Sequence, residues 1–176
     1  ANGSPTTTLK ELPAERSKIL LKDSSSPRPL HKALVLLDAI DRYGNHQLQS
    51  YGRLCFANAL VHRISNLKFG PEVGVGKIKS DAPVIDPWLE CIRAAVRDSH
   101  RYGGGSNVAS RIIIADARSV ENILKPGSVD FVITSPPYPN EKDYTRTTRL
   151  ESVVLGLIRN RHELMARRST KAAHTM

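Results

Sequence analysis

The feature that most constrains the fold is an apolar run, Val129 to Thr134, that stops at two consecutive prolines, Pro136 and Pro137. A short run rich in Val, Ile and Phe reads as a strand buried on both faces. Proline cannot continue its hydrogen-bond ladder. A second run of this kind, Ile112-Ile113-Ile114-Ala115, follows Arg111. Asp116-Ala117-Arg118 comes after it, then a segment from Ser119 to Leu124 that predicts a short helix with Ser119 as N-cap. Lys125-Pro126-Gly127-Ser128 turns the chain. Strand, helix and strand joined by turns this short predict a parallel βαβ unit. Ligands gather at the carboxyl ends of such strands, where Asp116 and Ser135 fall.

The preceding half of the chain predicts helices. Residues 1 to about 8 are small and polar, Leu9 to Lys22 carries mixed helical spacing, and residues 23–29 form a linker rich in Ser and Pro. Leu30 to Tyr43 has one apolar stripe of Leu30, Ala33, Leu34, Leu37 and Ile40. Gln47 to Ile64 predicts a second helix with Leu48, Tyr51, Leu54, Cys55, Ala59 and Val61 mostly inward. Asn66 to Asp86 is long for a passive connection, which marks it as a functional loop. Asp86 then suits an N-cap and Pro87 a first helical position, for a helix to about His100 that turns Leu89, Ile92, Ala95 and Val96 to one face and seats Trp88 in the core. Gly103 to Ser106 reads as a hinge, Arg149 to about Met165 as a last helix, and 166–176 as a basic tail.

Charge narrows the partners. The 176 residues hold 26 Lys and Arg against 17 Asp and Glu, a formal net charge of +9. Such a balance favours polyanions through attraction to phosphates. Lys77, Lys79, Arg146, Arg149, Arg167 and Arg168 are the cations best placed around the loops, with Arg146 and Arg149 just after the proline turn. Cys55 and Cys91 have no second ligand at metal spacing and read as reduced thiols; His31 and His62 read as partly exposed helix residues. No apolar run has the length of a membrane span, and the N-terminus lacks the pattern of a secretory signal, so a cytoplasmic location without a membrane partner is expected.

The turn Ser135-Pro136-Pro137-Tyr138 suggests a chemistry. Two fixed prolines lose their donors and keep their carbonyls as rigid acceptors. An exocyclic amino group offers two N–H donors, and a Ser oxygen with a proline carbonyl can accept both. That arrangement leaves the nitrogen lone pair free to attack. A Tyr ring gives a flat surface for a base taken out of the duplex. Holding these groups in line is catalysis by positioning.

Val-Asp-Phe-Val-Ile-Thr-Ser-Pro-Pro-Tyr, residues 129–138, resembles the catalytic motif of the S-adenosylmethionine-dependent DNA amino-methyltransferases. A Ser in the first place of that motif is typical of the N4-cytosine enzymes, and Asp or Asn of the N6-adenine ones. The resemblance implies that Ser135, Pro136, Pro137 and Tyr138 are catalytic, and that Asp116 and Thr134 lie at the S-adenosylmethionine site. Ala115 stands where the family often has Gly. Residues 139–151, and the loop from Gly70 to Lys77, resemble one bacterial subgroup of site-specific DNA methyltransferases. DNA contacts are then expected from Lys77, Arg146 and Arg149.

The implied fold is α/β, a partial Rossmann-like methyltransferase domain with a helical N-terminal half. The expected divisions are residues 1–28 as a terminal segment and linker, 29–110 as a helical region with a Gly-rich loop, 111–165 as the βαβ core with the catalytic turn, and 166–176 as the tail. The family's glycine-rich cofactor turn after a strand is missing. Gly70 to Lys77 follows no strand pattern and is not a phosphate-binding loop, because five residues separate Gly70 from Gly76 and Ile78 follows the Lys. Two strands are also few for a doubly wound sheet. The expectation is therefore a chain completed by a second copy or a missing complementary segment. The alternative is a basic nucleic-acid-binding module, without catalysis, that retains the turn as a relic.

Overall fold

A computed structural model describes residues 8–70, 72–103, 109–113, 115, 117–134 and 144–172. Its body is helical. A single turn, α1 (Ala14–Ser17), is followed by α2 (Pro27–Tyr43) and α3 (His46–Ala59), which continues as a wider π turn at Leu60–Ile64. A small hairpin of β1 (Leu67–Lys68) and β2 (Gly74–Val75) comes next, then α4 (Ile85–Tyr102). A 3₁₀ segment spans Ala117–Asn122, and α5 (Tyr144–Thr147), α6 (Arg149–Val154) and α7 (Arg161–Ala172) close the order.

The sequence explains where α2 starts. Its prolines, Pro27 and Pro29, fall in the first turn, where backbone N–H groups have no helical partner to lose. The helix therefore starts three residues earlier than its apolar stripe alone predicts. Ala33, Leu34, Leu37 and Ile40 are buried as expected, joined by Leu36. Asn45 caps α3, its side chain accepting the Leu48 N–H at 2.9 Å.

The inward face of α3 differs from the expected one. Cys55, Ala59 and Val61 are buried as expected, but Leu48, Tyr51 and Leu54 are exposed, and Gly52, Phe56, Leu60 and Ile64 take the inward places instead. Gly52 decides this. A Cβ there would meet Ile40 Cγ2 at 3.0 Å, so α2 closes on α3 at the one position without a side chain. Trp88 of α4 lies over the same residue and donates its indole N–H to the Gly52 carbonyl at 3.0 Å. The close approach turns Phe56 and Leu60 inward and leaves the Leu48–Tyr51–Leu54 side to solvent.

Four other boundaries are corrected. The N-terminal helix is one turn after Pro13, not Leu9 to Lys22. α4 starts at Ile85 after Val84, so Asp86 lies in its first turn and is not the cap; its Leu89, Ile92 and Ala95 are half-buried and Val96 exposed. The loop after Asn66 contains an antiparallel pairing, Leu67 with Val75 and Lys68 with Gly74. The last helix is two, because the chain breaks after α6 with Gly156 at φ +77°, a conformation that favours glycine. α7 then runs into the segment expected to be tail.

One core joins these elements. It holds Leu34, Leu37 and Ile40 of α2, Phe56, Leu60 and Ile64 around the π turn, and Leu150, Val153, Val154 and Ile158 at α6. Leu12 and Ile19 from the first residues, Ala82 and Val84 before α4, and Leu164 of α7 complete it. The segment expected to carry the two strands is different. Among its described residues no strand pairs, and Ile112, Phe131, Val132 and Ile133 are 94%, 80%, 73% and 90% exposed. A parallel strand needs hydrogen-bonded neighbours and apolar cover on both faces. The described residues supply neither to these two runs.

Candidate functional site

Ser135, Pro136, Pro137, Tyr138 and Asp116 lie outside the described residues. Thr134 is described and exposed, at the end of the exposed run from Val129. Before that run, Gly127 at φ +71° turns the chain, and Ser128 Oγ donates to the Lys125 carbonyl at 2.7 Å. The two flanks of the proline turn thus contrast. The upstream flank is exposed, while the downstream flank is anchored.

The anchor is built from α6. Leu150, Val153 and Val154 are 2%, 0% and 1% exposed, and Thr145 of the preceding turn is buried as well. Arg16, far upstream in sequence, clamps the end of α6. Its Nε donates to the Val153 carbonyl at 3.0 Å and its Nη2 to the Val154 carbonyl at 2.8 Å, with a further Nη2 bond to Val153. A guanidinium at the last carbonyls of a helix satisfies acceptors that have no helical partner. Burial, and then the charge of Arg159, hold Arg16 below its ordinary pKa. Glu151 on the same helix is pushed above the usual carboxyl range by burial, and its Oε2 is buried with no hydrogen-bond partner.

The Gly-rich loop is also tied down, through Asn66. This residue is 2% exposed. Its Nδ2 donates to the Asp23 carbonyl at 2.9 Å and to Ser26 Oγ at 3.0 Å, and its Oδ1 accepts the Lys79 N–H at 3.0 Å. Its backbone N–H donates to the Ser24 carbonyl and its own carbonyl accepts from Gly76, at 2.9 and 2.7 Å. One buried amide thereby joins the turn before α2 to both ends of the hairpin. Lys79 secures the base by donating to the carbonyls of Arg63 at 2.8 Å and Ser65 at 2.6 Å.

The structure brings two of the predicted segments together. Arg146 Nη1 pairs with Glu72 Oε2 at 3.0 Å, across 74 residues of sequence. The Gly-rich loop therefore touches the chain just after the proline turn. Of the expected DNA contacts, Lys77 is exposed, Arg146 is exposed and occupied by Glu72, and Arg149 is half-buried at the start of α6. Sequence reasoning missed Asn66, Glu72 and Arg16. A lone Asn beside a loop, or one Arg among many, carries no pattern that marks it.

Elsewhere, Cys55 and Cys91 are free thiols. The Cys55 thiol is pushed up to about 12 by burial and by its hydrogen bond with Cys91. His31 accepts the Lys10 N–H on Nδ1 at 2.7 Å, and the His62 ring leans on Phe69 at 5.4 Å. A shallow apolar groove between α2 and the start of α4 is lined by Val35, Leu36, Pro83 and Val84, and none of the expected site residues reaches it. Among the described residues, no group of three His, Cys, Asp or Glu side chains is placed to hold a metal ion, and no helix is long and apolar enough to cross a membrane.

Thr134 and the run before it are exposed. No family model, curated protein or solved structure matches the chain.

Proposed function

We propose that this chain is part of a DNA methyltransferase that acts on an exocyclic amino nitrogen, with Ser135 at the head of its turn pointing to cytosine N4 ahead of adenine N6. The observation that carries the reading is the turn Ser135-Pro136-Pro137-Tyr138 at the end of an apolar run. The Arg146–Glu72 ion pair supports it, because it joins the two other segments that resemble the same enzymes. In this reading Tyr138 stacks the extruded base, and the Ser135 oxygen and the Pro136 carbonyl accept the two amino hydrogens. S-adenosylmethionine, when bound, supplies the methyl group; Asp116 and Thr134 border its site. The rest of its cradle comes from a complementary segment or a partner chain, consistent with the exposed apolar runs and the missing glycine turn.

The second reading, a basic nucleic-acid-binding module without catalysis, is favoured by the exposure of those same runs. A methylation assay on DNA separates the two. Transfer of labelled methyl groups is expected from the protein with its complement, and Tyr138→Ala is expected to abolish it. Full activity in that variant, or duplex binding with no transfer under any pairing, would reject the catalytic reading.

A further inference from the structure

Cations without an acidic partner gather along one side of α4. Arg93, Arg97 and Arg101 stand at i, i+4 and i+8 and are all exposed. At 1.5 Å of rise per residue they follow one another at steps of about 6 Å. Among the described residues none of the three forms an ion pair; Arg101 rests 5.4 Å from the centre of the Tyr102 ring. Like charges at i and i+4 destabilise a helix, and this row contains two such pairs. Glu90 could relieve the first Arg from three residues away, yet it pairs with Arg63 at 3.4 Å.

That pair brings the end of the π turn against the polar side of α4. Lys79 adds to it: the ammonium sits on the carbonyls of Arg63 and Ser65. Burial and the charge of Arg63 both hold its pKa below the ordinary range. Positive groups from three elements thus meet around Glu90, while the other carboxylates of α4, Asp86 and Asp98, form no ion pair with the Arg row among the described residues.

We propose that Arg93, Arg97 and Arg101, with Arg63 and Lys79 beside them, form a track for the phosphates of one DNA strand. Guanidinium forks match phosphate oxygens in geometry and charge, and a row along a helix gives successive contacts without reading bases. A lipid surface fits less well. An interfacial helix must turn its whole apolar side outward, whereas α4 commits Trp88 to Gly52 of α3. The inference rests on the nucleic-acid half of the proposed function and is independent of methyl transfer.

The test is fluorescence anisotropy of a labelled DNA duplex with the 176-residue chain, without cofactor, over a salt series. Each phosphate contact contributes roughly 0.9 to the slope of log affinity against log salt. Removing all three with Arg93→Ala, Arg97→Ala and Arg101→Ala is expected to flatten the slope by about 3. Alanine at exposed helix positions preserves helicity, which circular dichroism checks. A control triple, Lys18→Ala, Lys22→Ala and Arg42→Ala, removes the same charge from other exposed sites and is expected to change the slope far less. Equal flattening by both triples, no duplex binding by the wild type, or binding to phosphatidylserine vesicles in place of DNA would each overturn the proposal. This titration reads duplex binding without cofactor and the methylation assay reads transfer, so a failure of the one and a failure of the other are separate results.

Discussion

Phe56 and Phe131 are the same side chain with opposite fates. Phe56 of α3 is 0% exposed in the core, while Phe131 is 80% exposed in the run before the proline turn. The difference lies in what each kind of element needs. A helix closes its own backbone hydrogen bonds and needs one apolar face covered. A strand in a parallel sheet needs a neighbour for each edge and cover on both faces. The helical body finds its partners within the chain. The apolar runs at 111–115 and 129–134 have the composition of inner strands, and their described residues find none.

The strongest way to break this comparison is to truncate both rings. Phe56→Ala should cost about 3–5 kcal/mol, from lost burial and the cavity left behind. Phe131→Ala should stay within about 0.5 kcal/mol, as for an exposed site. Urea unfolding of both variants measures the contrast. A large loss from Phe131→Ala would mean that the run is packed in solution, and the distinction between the two regions would fall.

A smaller effect sharpens how the body holds the flank of the turn. Arg16 is the link between the first residues and α6, with three donated bonds to the Val153 and Val154 carbonyls. Arg16→Ala should cost about 1.5–3 kcal/mol, the range for hydrogen bonds to a charged group. Arg16→Met, which keeps the apolar stem and removes the donors, should lose nearly as much. If the Met variant unfolds at the wild-type urea midpoint, Leu150, Val153 and Val154 anchor α6 by burial alone.

The same contrasts divide what the sequence makes legible from what it hides. The stripe of α2 was legible because Ala33, Leu34, Leu37 and Ile40 keep helical spacing and face one neighbour. The face of α3 was legible only in its second half, where Cys55, Ala59 and Val61 are buried. Leu48, Tyr51 and Leu54 have the same spacing, and the choice between the two sides was made by Gly52, whose role is the absence of a side chain. The hairpin after Asn66 was hidden for another reason: its strands are two residues each, too short for alternation to show. The candidate turn was legible as chemistry, since Ser135 to Tyr138 is a compact motif. The tie between Arg146 and the Gly-rich loop was not, because the Arg146–Glu72 pair depends on a contact across 74 residues.

The finest test of the anchored flank is its response to pH, through Glu151. Burial raises the folded-state pKa of this carboxyl above its ordinary value of 4.5, and its Oε2 is buried without a partner. Between the ordinary and the raised value the folded chain therefore holds a proton that the unfolded chain has released. Stability must fall as pH rises across that window. The penalty is absent below the unfolded value and complete above the folded one. Glu151→Gln keeps the shape and cannot ionise, so its unfolding free energy should lose this slope and should match or exceed that of the wild type above the window. Urea midpoints of both proteins from acid to neutral pH report the difference. Parallel pH profiles would place the Glu151 carboxylate in water, and the downstream flank of the turn would then be as open at that position as the upstream flank is at Phe131.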